Sequence, residues 1–299
     1  VYECVGDYGY MPKLNTANPE VQTYIYNVMV FWLNEYHIDG WRLDVADEID
    51  PSLWARIRCR VKSAYPDCLL LGETWGDGFS LLDEKSVDSI MNYVFRDSVR
   101  DFLARSSIDA KMFNHRICQM RSHYPEEIRQ ALFQPLDSHD TERFLWNCNG
   151  DTRRLKLAAL FQMCFPGAPS IYYGDEIGLN GANDPDCRRC MEWNPAKQNE
   201  NVLSFYKKVI RIRKENPCLR TGNIVPLVCE KMTYGYLCQS DSQQIYVLIN
   251  GAEEANEVRL PVLKIAEYKD LLTGKSYQAD KLVNAGYFNE DMISCQGTV

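Results

Sequence analysis

The chain has 299 residues, 45% hydrophobic and 25% charged, a globular composition with material for one large domain and a small one. Acidic residues outnumber basic ones, 41 to 33, and the net charge of −8 comes with no basic run, which argues against nucleic acid or an anionic membrane surface as partners. No apolar run approaches a membrane span, and the first residues do not read as a signal peptide. The 12 cysteines are scattered singly, Cys59, Cys164 and Cys238 inside apolar segments. That pattern fits reduced thiols in a cytoplasmic enzyme better than a disulfide framework. Cys187-Arg188-Arg189-Cys190 is a C-x-x-C, but without a second pair or a nearby histidine it makes a poor zinc site.

In chain order, residues 1–18 are punctuated by Gly6, Gly9, Pro12 and Asn15 and read as loop. Asn18-Pro19 is a helix start, followed by Val21, Ile25, Val28, Met29, Trp32 and Tyr36 at helical spacing. A strand is predicted from Gly40, a helix from Pro51 to about Tyr65, and a buried strand at Leu69–Gly72. Further strands are predicted at Ser89–Tyr93, Ala131–Leu136 and Ser170–Tyr173. Helices are expected over roughly 97–123, over 152–165 and from Val202 to Asn216. From about Gly222 helical period gives way to alternation and turn signals, at Thr233–Cys238, Gln244–Ile249, Val258–Pro261 and Thr273-Gly274. Alternating strands and helices over 19–216 predict parallel βα units. The fold class is therefore α/β over 1–221, with a small all-β sandwich domain over 222–299.

On the Gly40–Asp44 strand, Arg42 and Asp44 share one face, and Trp41 and Leu43 the other. Alone, the Arg-x-Asp is most simply a buried ion pair that orients its strand. Two further strands also end in carboxylates, Glu73 and Asp140. In a closed parallel barrel all such ends open on one face, so residues remote in sequence converge. Gathered carboxylates suit glycoside hydrolysis, which needs negative charge beside an oxocarbenium-like state and one protonated carboxyl for the leaving oxygen. Arg42 would keep Asp44 ionised and aimed, His139 could donate to sugar hydroxyls, and Trp75 offers a flat face two residues past Glu73. Tyr172 and Tyr173 are weaker platforms, as ready to serve as core. Metal-assisted hydrolysis ranks below this, because of His37, His115, His123 and His139 only the last lies at a strand end.

At these residues the chain resembles the α-amylase superfamily, glycoside hydrolase family 13, and within it the neopullulanase, cyclomaltodextrinase and maltogenic amylase group. Gly40-Trp41-Arg42-Leu43-Asp44 is similar to the nucleophile strand, and Gly72-Glu73-Thr74-Trp75 to the acid/base segment. Leu136-Asp137-Ser138-His139-Asp140-Thr141 is similar to the segment of the stabilising Asp. Met11-Pro12-Lys13-Leu14-Asn15 resembles the subgroup signature, and Tyr172–Gly178 the last barrel strand and its loop. Leu271-Leu272-Thr273-Gly274 extends the likeness into the β domain.

The resemblance implies strands four to eight of a (β/α)8 barrel followed by the β domain, as the C-terminal part of a longer enzyme. It implies Asp44 as nucleophile, Glu73 as general acid/base and Asp140 as stabiliser, with Arg42 and His139 around the scissile sugar. It places Asp184 and Arg188 on the non-reducing side of the substrate and Glu48 near the leaving-group sugars. The activity implied is retaining hydrolysis of α-1,4 bonds, with α-1,6 bonds as a further option, in cyclomaltodextrins, pullulan or malto-oligosaccharides. No cofactor or catalytic metal is required. The family allows a structural calcium ion, whose ligands the sequence does not identify, and a homo-oligomer. Asp47 stands where relatives often carry Asn, and Thr74 and Gly76 where they often carry Ile and His. These departures bear on acceptor preference rather than on the chemistry. The alternatives are a non-catalytic sugar-binding or misassembled fragment, or another α-glucan enzyme such as an α-glucosidase or glucanotransferase.

Overall fold

A computed structural model of the protein describes residues 2–83, 85–258, 267–278 and 283–285. In chain order the first elements are α1 (Pro19–Tyr36), β1 (Gly40–Leu43), α2 (Pro51–Ala64), β2 (Leu69–Gly72), α3 (Phe79–Asp83) and β3 (Ser89–Ile90). Next come α4 (Tyr93–Val99), α5 (Ala110–Ser122), α6 (Glu126–Ala131), β4 (Phe133–Pro135), α7 (Phe144–Asn147), α8 (Thr152–Cys164) and β5 (Ala168–Ser170). The remainder is α9 (Glu200–Glu215), α10 (Cys218–Thr221), β6 (Asn223–Glu230), β7 (Thr233–Gln239), β8 (Gln244–Asn250), β9 (Asn256–Val258), β10 (Glu267–Lys269), β11 (Ser276–Gln278) and β12 (Val283–Ala285). Among the described residues no helix is long and apolar enough to cross a membrane. The chain divides into two compact units, residues 1–94 with 123–133, and residues 95–122 with 134–299.

The first unit is built on a parallel sheet in the order β1-β2-β3. Asn18 caps α1 by accepting from the Glu20 N–H at 2.8 Å, and Pro19 fills a first-turn position where no N–H is needed. The buried face of α1 is carried by Met29 and Leu33. Trp32 and Tyr36, expected on that face, are exposed instead, and their rings lie 4.8 Å apart. Helix α2, capped by Asp50, buries Leu53, Trp54, Ile57 and Val61. Gly40 pairs with Leu69, and a Cβ on it would lie 2.4 Å from the Leu69 carbonyl oxygen, so only glycine fits this register. The ladder continues past both strands, with Glu73 N donating to Leu43 O at 2.8 Å and Ala46 N to Glu73 O at 3.0 Å.

The second unit is centred on α8, buried from Leu155 to Cys164 as its all-round apolar pattern predicts. Gln162, fully buried, donates its side-chain amide to both Gln134 O and Ser170 O at 2.8 Å, binding the short strands β4 and β5. Arg213, on α9, is also buried and donates to the carbonyls of Met163, Phe165, Gly167 and Leu219. Strands β6, β7 and β8 form an antiparallel meander. Tyr234 and Tyr236 of β7 reach into an aromatic cluster with Phe113, Phe161 and Phe165. Two smaller antiparallel pairs, β9 with β12 and β10 with β11, follow.

The five predicted barrel-type strands are all present, shorter than expected and in part shifted. Ser89–Tyr93 is strand only through Ile90, and helix begins at Tyr93. Ala131 closes α6 rather than opening β4. The last strand lies at Ala168–Ser170 instead of Ser170–Tyr173, because Tyr172 and Tyr173 turn their rings against the Arg143 guanidinium, 4.3 and 4.7 Å from it. Of the predicted strand Val258–Pro261, the part after Val258 lies outside the described residues.

Candidate active site

The predicted site residues fall into two groups, one in each unit. In the first unit β1 and β2 run parallel and in register, so the segments after Leu43 and Gly72 lie side by side. Arg42 Nη2 lies 2.7 Å from Glu73 Oε1, an ion pair, and Nη1 donates to Asp44 Oδ1. One planar guanidinium therefore holds both carboxylates, each by its own nitrogen. Glu73 is 3% exposed, whereas the Asp44 side chain is largely open to solvent.

Val45, next after Asp44, adopts φ 48 and ψ 44, a left-handed conformation that is costly for a β-branched residue, on the order of 1–3 kcal/mol. It turns the Val45 N–H onto Glu73 Oε2 at 2.8 Å. Each oxygen of Glu73 thus has a partner from the β1 segment.

Glu48 is placed apart from this pair. Its Oε2 accepts from the Gly6 N–H at 2.7 Å and from Lys13 Nζ at 3.0 Å. Those contacts, the Gly6 N–H foremost and Lys13 next, hold its carboxyl below the usual carboxylate range. Sequence reasoning did not anticipate Lys13 in this role. Asp47, beside it, accepts at Oδ2 from the Thr74 hydroxyl at 2.7 Å, so two positions that depart from the family pattern are bonded to each other. Trp75 stacks on buried Tyr93 at 4.2 Å with 13° between the rings and leaves half its surface open. A stacked backing fixes the plane of the exposed indole, the geometry a sugar platform requires.

In the second unit His139 Nε2 lies 3.0 Å from Asp140 Oδ2. Arg188 Nη2 lies 3.2 Å from Asp140 Oδ1, and its Nε contacts Asp184 Oδ1 at 2.5 Å and donates to His139 O at 3.0 Å. The loop holding Asp184 and Arg188 and the segment after β4 are joined here. The C-x-x-C is part of that joint: buried Cys187 donates its thiol to His139 O, Cys190 is exposed, and the two form no disulfide. Among the described residues no group of three or more His, Cys, Asp and Glu side chains converges as a metal site.

Behind this group lies a buried set that sequence reasoning quoted only as motif. Asp137 accepts the Phe144 N–H at 2.6 Å. Asp175 is 2.9 Å from Arg143 Nη1, and Arg143 is fully buried. Burial, and next the charge of Asp137, push the Asp175 carboxyl well above its ordinary range. Burial raises Asp137 too, opposed by its contact with Asp175 and by the Phe144 N–H. Both carboxyls are therefore held above the ordinary carboxylate range, burial being the first cause in each. Arg143 also donates to Tyr173 O and Cys187 O, fixing the loops on either side.

With this geometry in view, residues 4–199 match the alpha-amylase family model, the alpha amylase catalytic domain. The chain belongs to this family of glycosidases. It is 45% identical over 269 residues to neopullulanase 2 of Thermoactinomyces vulgaris, covering 89% of this chain and 46% of that protein. It is 42% identical over 215 residues to the intracellular maltogenic amylase of Bacillus subtilis strain 168, covering 72% of this chain and 37% of that protein. A solved cyclomaltodextrinase superposes with a TM-score of 0.92 at 36% identity, over 99% of this chain and 52% of that one. The chain thus spans less than half the length of these curated relatives.

Proposed function

We propose that the protein is a retaining glycoside hydrolase that cleaves α-1,4 and also α-1,6 glucosidic bonds in cyclomaltodextrins, pullulan and malto-oligosaccharides. The observation that carries this reading is the Arg42 guanidinium held between Asp44 and Glu73 at adjacent parallel strand ends. Sharing one guanidinium keeps two carboxyls close, which favours the retaining spacing of about 5–5.5 Å over the wider inverting one. Asp44, the more open, attacks the anomeric carbon while Glu73 gives its proton to the glycosidic oxygen, and the leaving sugar departs as an alcohol. Water then adds to the glycosyl-enzyme, Glu73 takes its proton, and Asp44 is released as carboxylate. Asp140 stabilises the oxocarbenium-like state, with His139, Arg188 and Asp184 binding the sugar on the donor side and Trp75 stacking on a ring. These steps need no cofactor.

The same reading takes residues 1–221 as strands four to eight of a (β/α)8 barrel and 222–299 as a β sandwich, supported by the five strands and the β6-β7-β8 meander. It places the protein in the cytoplasm, supported by the relative named as intracellular. The test is Asp44→Asn in the full-length protein, assayed on cyclomaltodextrin with the anomeric form of the product followed. Loss of turnover by about four orders of magnitude is expected, comparable to loss of a catalytic residue. Undiminished turnover, or an inverted product, removes Asp44 from the nucleophile role.

A further inference from the structure

The chain carries a net charge of −8, yet one cleft of the first unit gathers positive charge. The cleft encloses about 510 Å³ and is lined by Ala55, Arg58, Cys59 and Lys62 of α2, by Pro66 just beyond that helix, and by Lys85 of the turn after α3. Arg58 and Lys62 stand four residues apart on α2, a spacing at which like charges repel.

A carboxylate holds these two together. Arg58 Nη2 lies 2.8 Å from Asp88 Oδ1, and Lys62 Nζ lies 2.8 Å from Asp88 Oδ2. Asp88 is itself held, because its Oδ2 also accepts the Leu70 N–H of β2 at 2.8 Å. The strand fixes the carboxylate, and the carboxylate fixes the two cations. Lys62 further reaches the Pro66 carbonyl at 3.4 Å. Lys85 is exposed, and among the described residues no acidic side chain pairs with it. Three cations therefore line the cleft, and the one carboxylate paired with them among the described residues has both oxygens engaged.

This set suits an anion with several acceptor oxygens. A guanidinium has five N–H donors and an ammonium three, so donors remain on Arg58 and Lys62 after Asp88 has taken its share. Asp88 already orders both side chains, and a ligand that binds them costs little further side-chain freedom. A phosphate group, with up to two charges and three terminal oxygens, matches three cations. The cleft has the volume of a small-molecule site rather than of a bare ion, and Ala55 and Pro66 add apolar wall beside the charges.

We infer that this cleft binds a small phosphorylated metabolite, its phosphate on Arg58, Lys62 and Lys85 and its organic part against Ala55 and Pro66. None of these residues belongs to the carboxylate groups at the strand ends, so the inference stands independently of how those groups act.

The test is isothermal titration calorimetry of the full-length protein with fructose 6-phosphate, inorganic phosphate and fructose, at constant ionic strength. Fructose 6-phosphate is expected to bind saturably at one site, about tenfold tighter than inorganic phosphate, with no binding of fructose. Lys85→Ala, which breaks no ion pair of the described residues, should weaken fructose 6-phosphate about tenfold or more, the loss of a hydrogen bond between charged groups. Arg58→Gln and Lys62→Met should do the same, with circular dichroism showing that each is folded. Saturating maltotriose should leave the affinity unchanged. Absence of saturable heat, or an affinity unmoved by Lys85→Ala, would reduce the cluster to a solvated helix face and overturn the inference. Equal affinity for inorganic phosphate and fructose 6-phosphate would overturn it in favour of a bare ion site, and displacement by maltotriose would place the binding elsewhere.

Discussion

The backbone N–H of Val45 donates to Glu73 Oε2 at 2.8 Å, and it can do so because Val45 holds a left-handed backbone conformation. A residue that stiff does not adopt φ 48 without compensation, and the buried carboxyl it serves is the compensation visible in the structure.

The strain is measurable. Glycine adopts the left-handed region freely, so Val45→Gly should be less destabilising than Val45→Ala although it removes more of the side chain. A difference of about 1 kcal/mol in chemical denaturation is expected. The opposite ranking would show that Val45 is unstrained in solution.

Arg42→Lys retains the charge but not the fork that reaches Asp44 and Glu73 with separate nitrogens. The expected outcome is a fall in kcat of ten- to a hundredfold, about 1.4–2.8 kcal/mol in the barrier. Circular dichroism and steady-state kinetics together decide it, since an unfolded variant would lose both signals.

The Asp137–Asp175 pair predicts a pH dependence of stability. Asp175 retains its proton in the fold at pH values where the unfolded chain has released it, so the native state binds more protons. Its contribution is fully present below the ordinary Asp range and is lost as pH rises through the raised folded value. Asp175→Asn keeps an N–H for Asp137 and an oxygen for Arg143 without a titrating proton. Stability measured against pH from about 4 upward should fall with a slope of up to roughly 1.4 kcal/mol per unit in the parent and be flatter in the variant. Superimposable curves would show that the Asp175 carboxyl is not raised in the fold.

Gly40→Ala places a methyl against the Leu69 carbonyl, a backbone atom that cannot rotate away. A loss of about 3 kcal/mol or failure to express folded protein is expected. A variant with an unchanged melting curve would mean that the β1–β2 register is other than Gly40 opposite Leu69.

Much of this arrangement could be read from the chain because it is local. The apolar run Leu69–Gly72 and the Asn18-Pro19 cap announce their elements, and carboxylates at strand ends mark themselves by following such runs. What the chain hides is pairing at a distance. Asp47 and Thr74 lie 27 residues apart, and only the β1–β2 register brings them together. The raised carboxyls of Asp137 and Asp175 depend in the same way on groups remote from one another in sequence, Arg143 and the Phe144 N–H among them. Helical period marks an apolar stripe on α1 without saying how wide the covered part is: Trp32, on that stripe, is exposed, and Leu33 is buried. The contact of Lys13 with the Glu48 carboxylate is likewise hidden, since no feature near either residue signals the match.

Gln162 gives α8 a function beyond covering a sheet. Strands β4 and β5 are each three residues long, too short to hold their spacing by backbone rungs alone, and the carboxamide of Gln162 supplies a rung from outside the sheet. The segment that carries His139 and Asp140 leaves directly from β4. Its aim is therefore inherited from a helix, and a lesion at Gln162 should blur the placement of His139 and Asp140 while leaving the hydrophobic packing of the helix almost intact.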